Sequence, residues 1–175
     1  IETNNIVIDA KSGVTGAGRK PSNLVHFCEV DNNFMAYKVA NHRHTSEIEQ
    51  ELSKIADEEI ILSFTPHLLP IKRGILETIY AKLKAGVKSD DIEKAYKDEY
   101  KDEEFVKLLG SGMTPQIKSV AGTNSFISGF VIDERLNSIV IISVIDNLIK
   151  GAAGQAIQNM NIIFGIKENT GLNNA

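Results

Sequence analysis

The sequence predicts an α+β domain: a mostly antiparallel or mixed sheet covered by helices on one face. Three observations predict it. Short apolar or alternating runs of strand length recur along most of the chain, separated by turn residues. Only three stretches, beginning near Ser46, Ser89 and Asp146, are assigned to helices by their periodicity. Two of the last strands are joined directly by Asp133-Glu134-Arg135-Leu136-Asn137, a hairpin connection.

Ile6-Val7-Ile8 reads as a buried strand, and the stretch from Lys11 to Asn23, with Gly13, Gly16, Gly18 and Pro21, as a loop. Strands are expected over Leu24 to Val30 and Phe34 to Ala40, with Asp31-Asn32-Asn33 as the turn between them. Ser46 and Glu49 stand at capping-box spacing. Ile48, Leu52, Ile55 and Ala56 continue as an apolar stripe, so a helix is expected from Glu47 to about Asp57. A strand from Glu59 to Thr65 is expected to stop at Pro66. Residues Ile75 to Lys84 fit either period, and their β-branched and aromatic content selects a strand.

Ser89-Asp90-Asp91 begins a helix, with its acids at the positive end of the macrodipole and Ile92, Ala95, Tyr96 and Tyr100 as its stripe. Strands follow at Phe105 to Leu109, Ile117 to Ala121, Ser125 to Asp133 and Ser138 to Ile145. From Asp146 onward, Leu148, Ala152, Ala156, Ile157, Met160, Ile163 and Phe164 recur at helical spacing. The polar tail Lys167 to Ala175 is expected to fray. The chain thus divides into residues 1–145, an α+β unit, and 146–175, a terminal helix and tail.

The chain has 175 residues, 42% hydrophobic, which is ample for a core. A net charge of -4 gives no electrostatic basis for a nucleic acid or an anionic membrane as partner. No apolar run approaches the roughly 20 residues of a membrane span. A single cysteine, Cys28, permits no internal disulfide and fits a reducing, cytoplasmic setting. Mid-strand, it is expected to be a small buried hydrophobe rather than a nucleophile. The chain opens on Ile1 without a charged-then-apolar leader, and is read as a piece of something longer.

His42-Arg43-His44 places two imidazoles two residues apart before a helix start. Imidazole exchanges protons near neutral pH, and in extended backbone the two would share one face. The pair therefore suits proton transfer, set against surface or satisfied core histidines and against a metal site short of a third ligand. Ser12-Gly13-Val14-Thr15-Gly16-Ala17-Gly18-Arg19 offers backbone freedom, hydroxyls and a guanidinium for a phosphate or carboxylate, and reads at least as well as a tight surface turn. It is neither a dinucleotide fingerprint, since Pro21 stands where a third glycine belongs, nor a Walker loop. Lys72-Arg73-Gly74 could suit an anionic ligand, but its spacing alone favours a solvated loop. In Asp146-Asn147-Leu148-Ile149-Lys150-Gly151-Ala152-Ala153-Gly154-Gln155-Ala156, small residues allow close approach of a helix, a strand or a cofactor. Asn147, Gln155 and Asn159 there could bond a carboxamide.

Together these segments, with Phe64-Thr65-Pro66-His67-Leu68-Leu69-Pro70, resemble the N-acetyl-gamma-glutamyl-phosphate reductase family in order and over nearly the whole chain. Ser46, where the family often has Pro, and Asn124-Ser125-Phe126 are minor departures. The resemblance implies a C-terminal catalytic and dimerisation domain, like the C-terminal domain of glyceraldehyde-3-phosphate dehydrogenase, plus a final helix that packs on an N-terminal nucleotide-binding domain. It implies NADPH, bound mainly by that other domain, a small acyl phosphate as substrate, and a homo-oligomer, dimer or tetramer. The family's nucleophilic cysteine falls upstream of Ile1, so Cys28 does not inherit its role, and the chain alone is expected to be inactive. By resemblance, His42 is the proton shuttle, with His44 assisting or binding substrate. Ser12, Gly13, Arg19 and Arg73 are candidates for the substrate phosphate and carboxylate, and Gly154, Gln155 and Asn159 for the nicotinamide pocket. A non-enzymatic dimerisation or ligand-binding module is the alternative.

Overall fold

The computed structural model describes residues 1–173. Seven strands form one mixed sheet in the order β2-β3-β1-β4-β7-β6-β5. They are β1 (Ile6–Gly13), β2 (Met35–Ala36), β3 (Leu62–Leu69), β4 (Ile75–Lys82), β5 (Val106–Leu108), β6 (Phe126–Asp133) and β7 (Ser138–Ile145). The β1–β3 and β5–β6 pairs are parallel, and the other four are antiparallel. Four α-helices accompany them: α1 (Phe27–Val30), α2 (His44–Ala56), α3 (Ser89–Tyr100) and α4 (Gly154–Ile163).

Period-two alternation gives the sheet two unlike faces. Ile6, Ile8, Leu62, Phe64, Ala81, Phe130 and Ile139 are buried on one face, under Ile48, Leu52 and Ala56 of α2 and Ile92 and Tyr96 of α3. Removing the leucine, isoleucine and phenylalanine side chains among these from water stabilises the layer by roughly 1.5–3 kcal/mol each. On the other face, Val120, Ile127 and Val144 form a smaller cluster with Leu76, Leu109 and Ile117. Beyond it that face stands open: Val7, Tyr80 and Val131 are 38%, 44% and 37% exposed.

Several sequence expectations are corrected. Leu24 to Val30 holds a 3-10 turn (Asn23–Val25) and α1, and only Met35–Ala36 of the next run pairs as strand. Leu24, Phe27, Phe34 and Val39 are exposed, so this stretch has too little burial to hold a ladder together. Cys28 is exposed as well, not buried. Ile117 to Ala121 forms a 3-10 turn (Ile117–Ser119), whose three-residue period sends Ile117 and Val120 to the same side, onto the open face.

Pro66 does not end its strand. β3 runs through it to Leu69, and beside it the two-residue β2 leaves β3 close to the sheet edge, where a missing N–H costs least. The capping box at Ser46 is absent. Arg43 is the N-cap residue of α2, and Ser46 Oγ donates to Arg43 O. Glu49 instead accepts from Leu62 N, which ties α2 to the start of β3. The capping box belongs to α3, where Lys88 N donates to Asp91.

The tail is held rather than frayed as far as it is described. Asn161 Nδ2 donates to Glu168 O and Thr170 O, and Asn124 N to Asn173 O. Asn174 and Ala175 lie outside the described residues.

Candidate active site

α2 runs antiparallel to β3, since Ser53 accepts from Ile60 N and Glu49 from Leu62 N. Its N-terminus therefore reaches toward the C-terminal end of β3, carrying the histidines with it. His44 opens the helix, so the pair does not lie on extended backbone as the sequence suggested. The rings nevertheless meet, with centroids 4.8 Å apart and planes at 78°. His42 also packs edge-on against Tyr37 at 5.6 Å and tilted on Phe64 at 5.4 Å.

His44 N donates to His42 Nδ1 at 3.2 Å. With Nδ1 occupied as an acceptor, neutral His42 carries its proton on Nε2. Burial, then the charges of His44, Lys38 and Arg43, push its pKa below the usual histidine value. Burial likewise raises Tyr37 above the phenol range, against the opposing charge of Arg43.

Ser12, Gly13 and Arg73 come together at a junction of three segments. Gly13 N donates to Gly74 O at 2.8 Å, and Val14 N to Ile71 O at 3.0 Å. A Cβ on Gly13 would stand 3.0 Å from the Ile71 and Lys72 carbonyls, so the close approach favours glycine there. Asn147 closes the junction: its Oδ1 accepts from Gly74 N at 2.8 Å and its Nδ2 donates to Thr15 Oγ1 at 2.9 Å.

Arg73 Nη1 donates to Asp146 Oδ2 at 3.0 Å. Burial raises the Asp146 pKa, but amides of Gly122, Leu148 and Ile149, with Arg73, outweigh it and hold the carboxyl below its usual range. Arg19 lies apart on the exposed loop beyond Gly18 and makes no ion pair among the described residues. Ser12 shares the face of Ile8, and Ile8 pairs with Phe64 beneath His42. At 3.3 Å per residue, Ser12 stands about 13 Å along β1 from Ile8. Ser12 thus lies on the same covered face as the Phe64 beneath His42, farther along the strands toward their C-terminal ends.

A π-helical turn (Ile149–Ala153) precedes α4. Gly151, Ala152 and Ala153 are exposed on it, a wide turn of the kind found at functional sites. Gln155 Nε2 donates to Asn159 Oδ1 at 2.9 Å on the exposed side. Gly154 faces inward: an added Cβ would lie 2.3 Å from Asn124 Oδ1. Its smallness serves helix packing. Among the described residues no group of three His, Cys, Asp or Glu side chains is placed to hold a metal ion.

Two important residues escaped the sequence reading in their actual roles. Asp146 appeared only as the start of a helical pattern. Asn147 appeared as a carboxamide partner, whereas it bonds the protein's own loops. An Asp-Asn pair directly after a strand and before a glycine-rich turn is the available signal, since such side chains bond nearby backbone.

The family model for the semialdehyde dehydrogenase dimerisation domain matches residues 1–147. The chain belongs to this family. It is 58% identical over 174 residues to N-acetyl-gamma-glutamyl-phosphate reductase of Acetivibrio thermocellus, covering 99% of this chain and 50% of that protein. To the reductase of the same name from Pelotomaculum thermopropionicum it is 57% identical over 172 residues, covering 98% and 50%. The chain spans about half the length of the curated relatives it matches. Aspartate semialdehyde dehydrogenase II from Vibrio cholerae shares the fold, with a TM-score of 0.70 and 17% identity over 92% of this chain and 55% of that one. This likeness bears out the α+β, mixed-sheet fold class. No helix among the described residues is long and apolar enough to cross a membrane.

Proposed function

We propose that this chain is the substrate and dimerisation part of an N-acetyl-gamma-glutamyl-phosphate reductase, a cytoplasmic enzyme of arginine biosynthesis. The observation that carries this reading is the oriented His42–His44 pair in a chain 58% identical over 174 residues to a protein of that name. In the proposed reaction a thiolate attacks the acyl phosphate, phosphate leaves, and the thioester is reduced to the semialdehyde. The thiol matches no residue of this chain. NADPH, held mainly by a nucleotide-binding domain, supplies the hydride when bound.

The chain's own residues manage charge and protons. His42, neutral because its pKa is depressed, presents Nε2–H to the oxygen that becomes negative and takes the proton back as the semialdehyde is released. His44 assists or binds substrate. Arg73, with Ser12 and Gly13 at the junction, is assigned to the phosphate and carboxylate, and Arg19, apart on its exposed loop, is proposed as a further contact to them. Gln155 and Asn159 fit a carboxamide: the Gln155 carbonyl and Asn159 amide nitrogen stay available beyond their mutual bond. Gly154 does not fit as a contact, being filled from within by Asn124, and acts by placing the helix.

Residues 146–175 are proposed to pack on the nucleotide-binding domain. Ile162, Ile163 and Phe164 stand 57%, 78% and 73% exposed, as a helix awaiting a partner would. The open sheet face is proposed to meet a second copy in a homo-oligomer.

In the intact reductase, His42→Asn is expected to lower turnover about 10²–10⁴-fold. Turnover within twofold of wild type removes His42 from the role. The open sheet face also favours a second reading, a purely assembling module. Calorimetry with N-acetylglutamate separates the two, since a stable dimer giving no ligand heat supports assembly alone.

A further inference from the structure

Arg73 is not a free surface cation. Its side chain is 41% exposed, while the Asp146 side chain it contacts is fully buried, at 0%. The pair is sealed at the carboxylate end and open at the guanidinium end. Every acceptor position that matters on Asp146 is taken. Oδ1 accepts from Leu148 N at 2.8 Å and Ile149 N at 3.0 Å. Oδ2 accepts from Gly122 N at 2.7 Å and Arg73 Nη1 at 3.0 Å. Four donors from three separate segments fix the carboxylate, which is fully buried and cannot turn without losing bonds.

Three of those donors are backbone amides, so the carboxylate is largely satisfied before Arg73 is counted. The guanidinium therefore keeps positive potential to offer elsewhere. It has five N–H donors in one rigid plane, and the bond to Asp146 uses one nitrogen. The backbone behind it is fixed too: Gly74 N donates to Asn147 Oδ1 and Gly74 O accepts from Gly13 N, both at 2.8 Å. A plane anchored at one nitrogen and at its main chain, whose amide lies against Gly13, has little freedom left, and the side chain stays 41% open to solvent.

We propose that Asp146 is a positioning residue that aims the Arg73 guanidinium at a two-oxygen anionic group of the ligand, a carboxylate or a phosphoryl. This rests on the reading of Arg73 as a substrate contact. Asp146 touches no ligand and acts only through Arg73.

The test titrates the chain with inorganic phosphate and separately with N-acetylglutamate, following amide shifts by NMR, and records thermal midpoints alongside. The arm that responds identifies which anion the site takes. Arg73→Ala is expected to weaken binding about tenfold or more, one charge-assisted bidentate contact. Asp146→Asn is expected to weaken it by a comparable factor although Arg73 is still present, and the double variant to bind no worse than Arg73→Ala alone. In the intact reductase Asp146→Asn is expected to raise KM with little change in kcat, which general loosening would not do selectively.

Wild-type affinity in folded Asp146→Asn, with Arg73→Ala impaired, overturns the positioning role alone. Wild-type affinity in Arg73→Ala, or no binding of either probe by the wild-type chain, overturns the anion reading and the positioning role together. Should Asp146→Asn not fold, Arg73→Lys decides. It keeps the charge but cannot hold Asp146 and a ligand in one plane, so undiminished affinity overturns the proposal.

Discussion

His42 sits edge-on to Tyr37 and His44 and tilted on Phe64, with Lys38 and Arg43 near enough to act on its charge. Burial first, then these positive neighbours, disfavour the imidazolium, so the folded chain takes up this proton at lower pH than the unfolded chain does. Between the two values the unfolded chain holds more protons. The contribution to stability is therefore complete above the ordinary value of about 6.5 and is lost as pH falls through the depressed one. An NMR titration of the imidazole nitrogens is expected to give His42 a midpoint below about 6.5, and His44→Gln to move it upward. At neutral pH, Nε2 should carry the proton. A midpoint at or above the ordinary value, or a proton on Nδ1, contradicts the geometry. The sequence made this pair visible through residue type and spacing alone. It did not reveal that a helix N–H, rather than strand alternation, orients the ring, because helix starts are set by backbone and tertiary bonds that the sequence signals only loosely. Asp146 was invisible as an anchor for a similar reason: its four donors come from residues as far away in sequence as Arg73.

α4 reverses the usual rule for an amphipathic element. Gly154, Gln158 and Asn161 are its buried residues, while Met160, Ile163 and Phe164 are 45%, 78% and 73% exposed. Polar bonds hold the inner side: Asn124 Nδ2 and Lys150 Nζ both donate to Gln158 Oε1, at 2.8 and 2.7 Å. Helical period was legible here, but not which face docks, because the stripe rule assumes that the partner lies within the same chain. The same assumption failed for Leu24 to Val30, whose apolar residues largely find no core. It succeeded for β4, β6, β7 and α3, whose partners are all present. Close packing at Gly154 gives a direct check. A Cβ there would meet Asn124 Oδ1 at 2.3 Å and Ile149 Cγ2 at 2.6 Å, one held in a buried bond and the other in the π-helical turn. Gly154→Ala is expected to destabilise by about 1–3 kcal/mol in urea unfolding. Gly110, with nothing within 4 Å of its added Cβ, is the control: Gly110→Ala should be neutral or slightly stabilising. Equal effects at the two sites would mean that α4 does not seat on Asn124.

The sheet as a whole is half-covered. α2 and α3 close one face, and on the other the cluster of Val120, Ile127 and Val144 covers only one end. Across the uncovered part, Val7 pairs with Tyr80, Tyr80 with Val140, and Val140 with Val131, so one row of apolar side chains crosses four strands. Next to it lies a polar set: Lys11 Nζ pairs with Asp9 Oδ1 at 2.8 Å and donates to Thr78 at 3.2 Å. An apolar row beside satisfied polar groups matches the make-up of a protein interface, where apolar contact supplies affinity and the surrounding polar groups supply register. A second copy meeting this face would share the same row, self-complementary across a two-fold axis. Tyr80 lies within that row, 44% exposed in the single chain. Tyr80→Glu places a carboxylate where both copies must exclude water, and a charge buried without a partner costs several kcal/mol. Dimer dissociation should therefore strengthen about a hundredfold or more in sedimentation equilibrium. The isolated fold should survive, since the covered face on which α2 and α3 pack is untouched. Circular dichroism of the variant at monomer concentrations checks that second half. Tyr80→Phe separates the two contributions, because it keeps the apolar ring and adds no charge. A Tyr80→Glu chain that still dimerises with unchanged affinity would move the contact elsewhere, and the exposed Ile162, Ile163 and Phe164 surface of the terminal segment would then be the next surface to test.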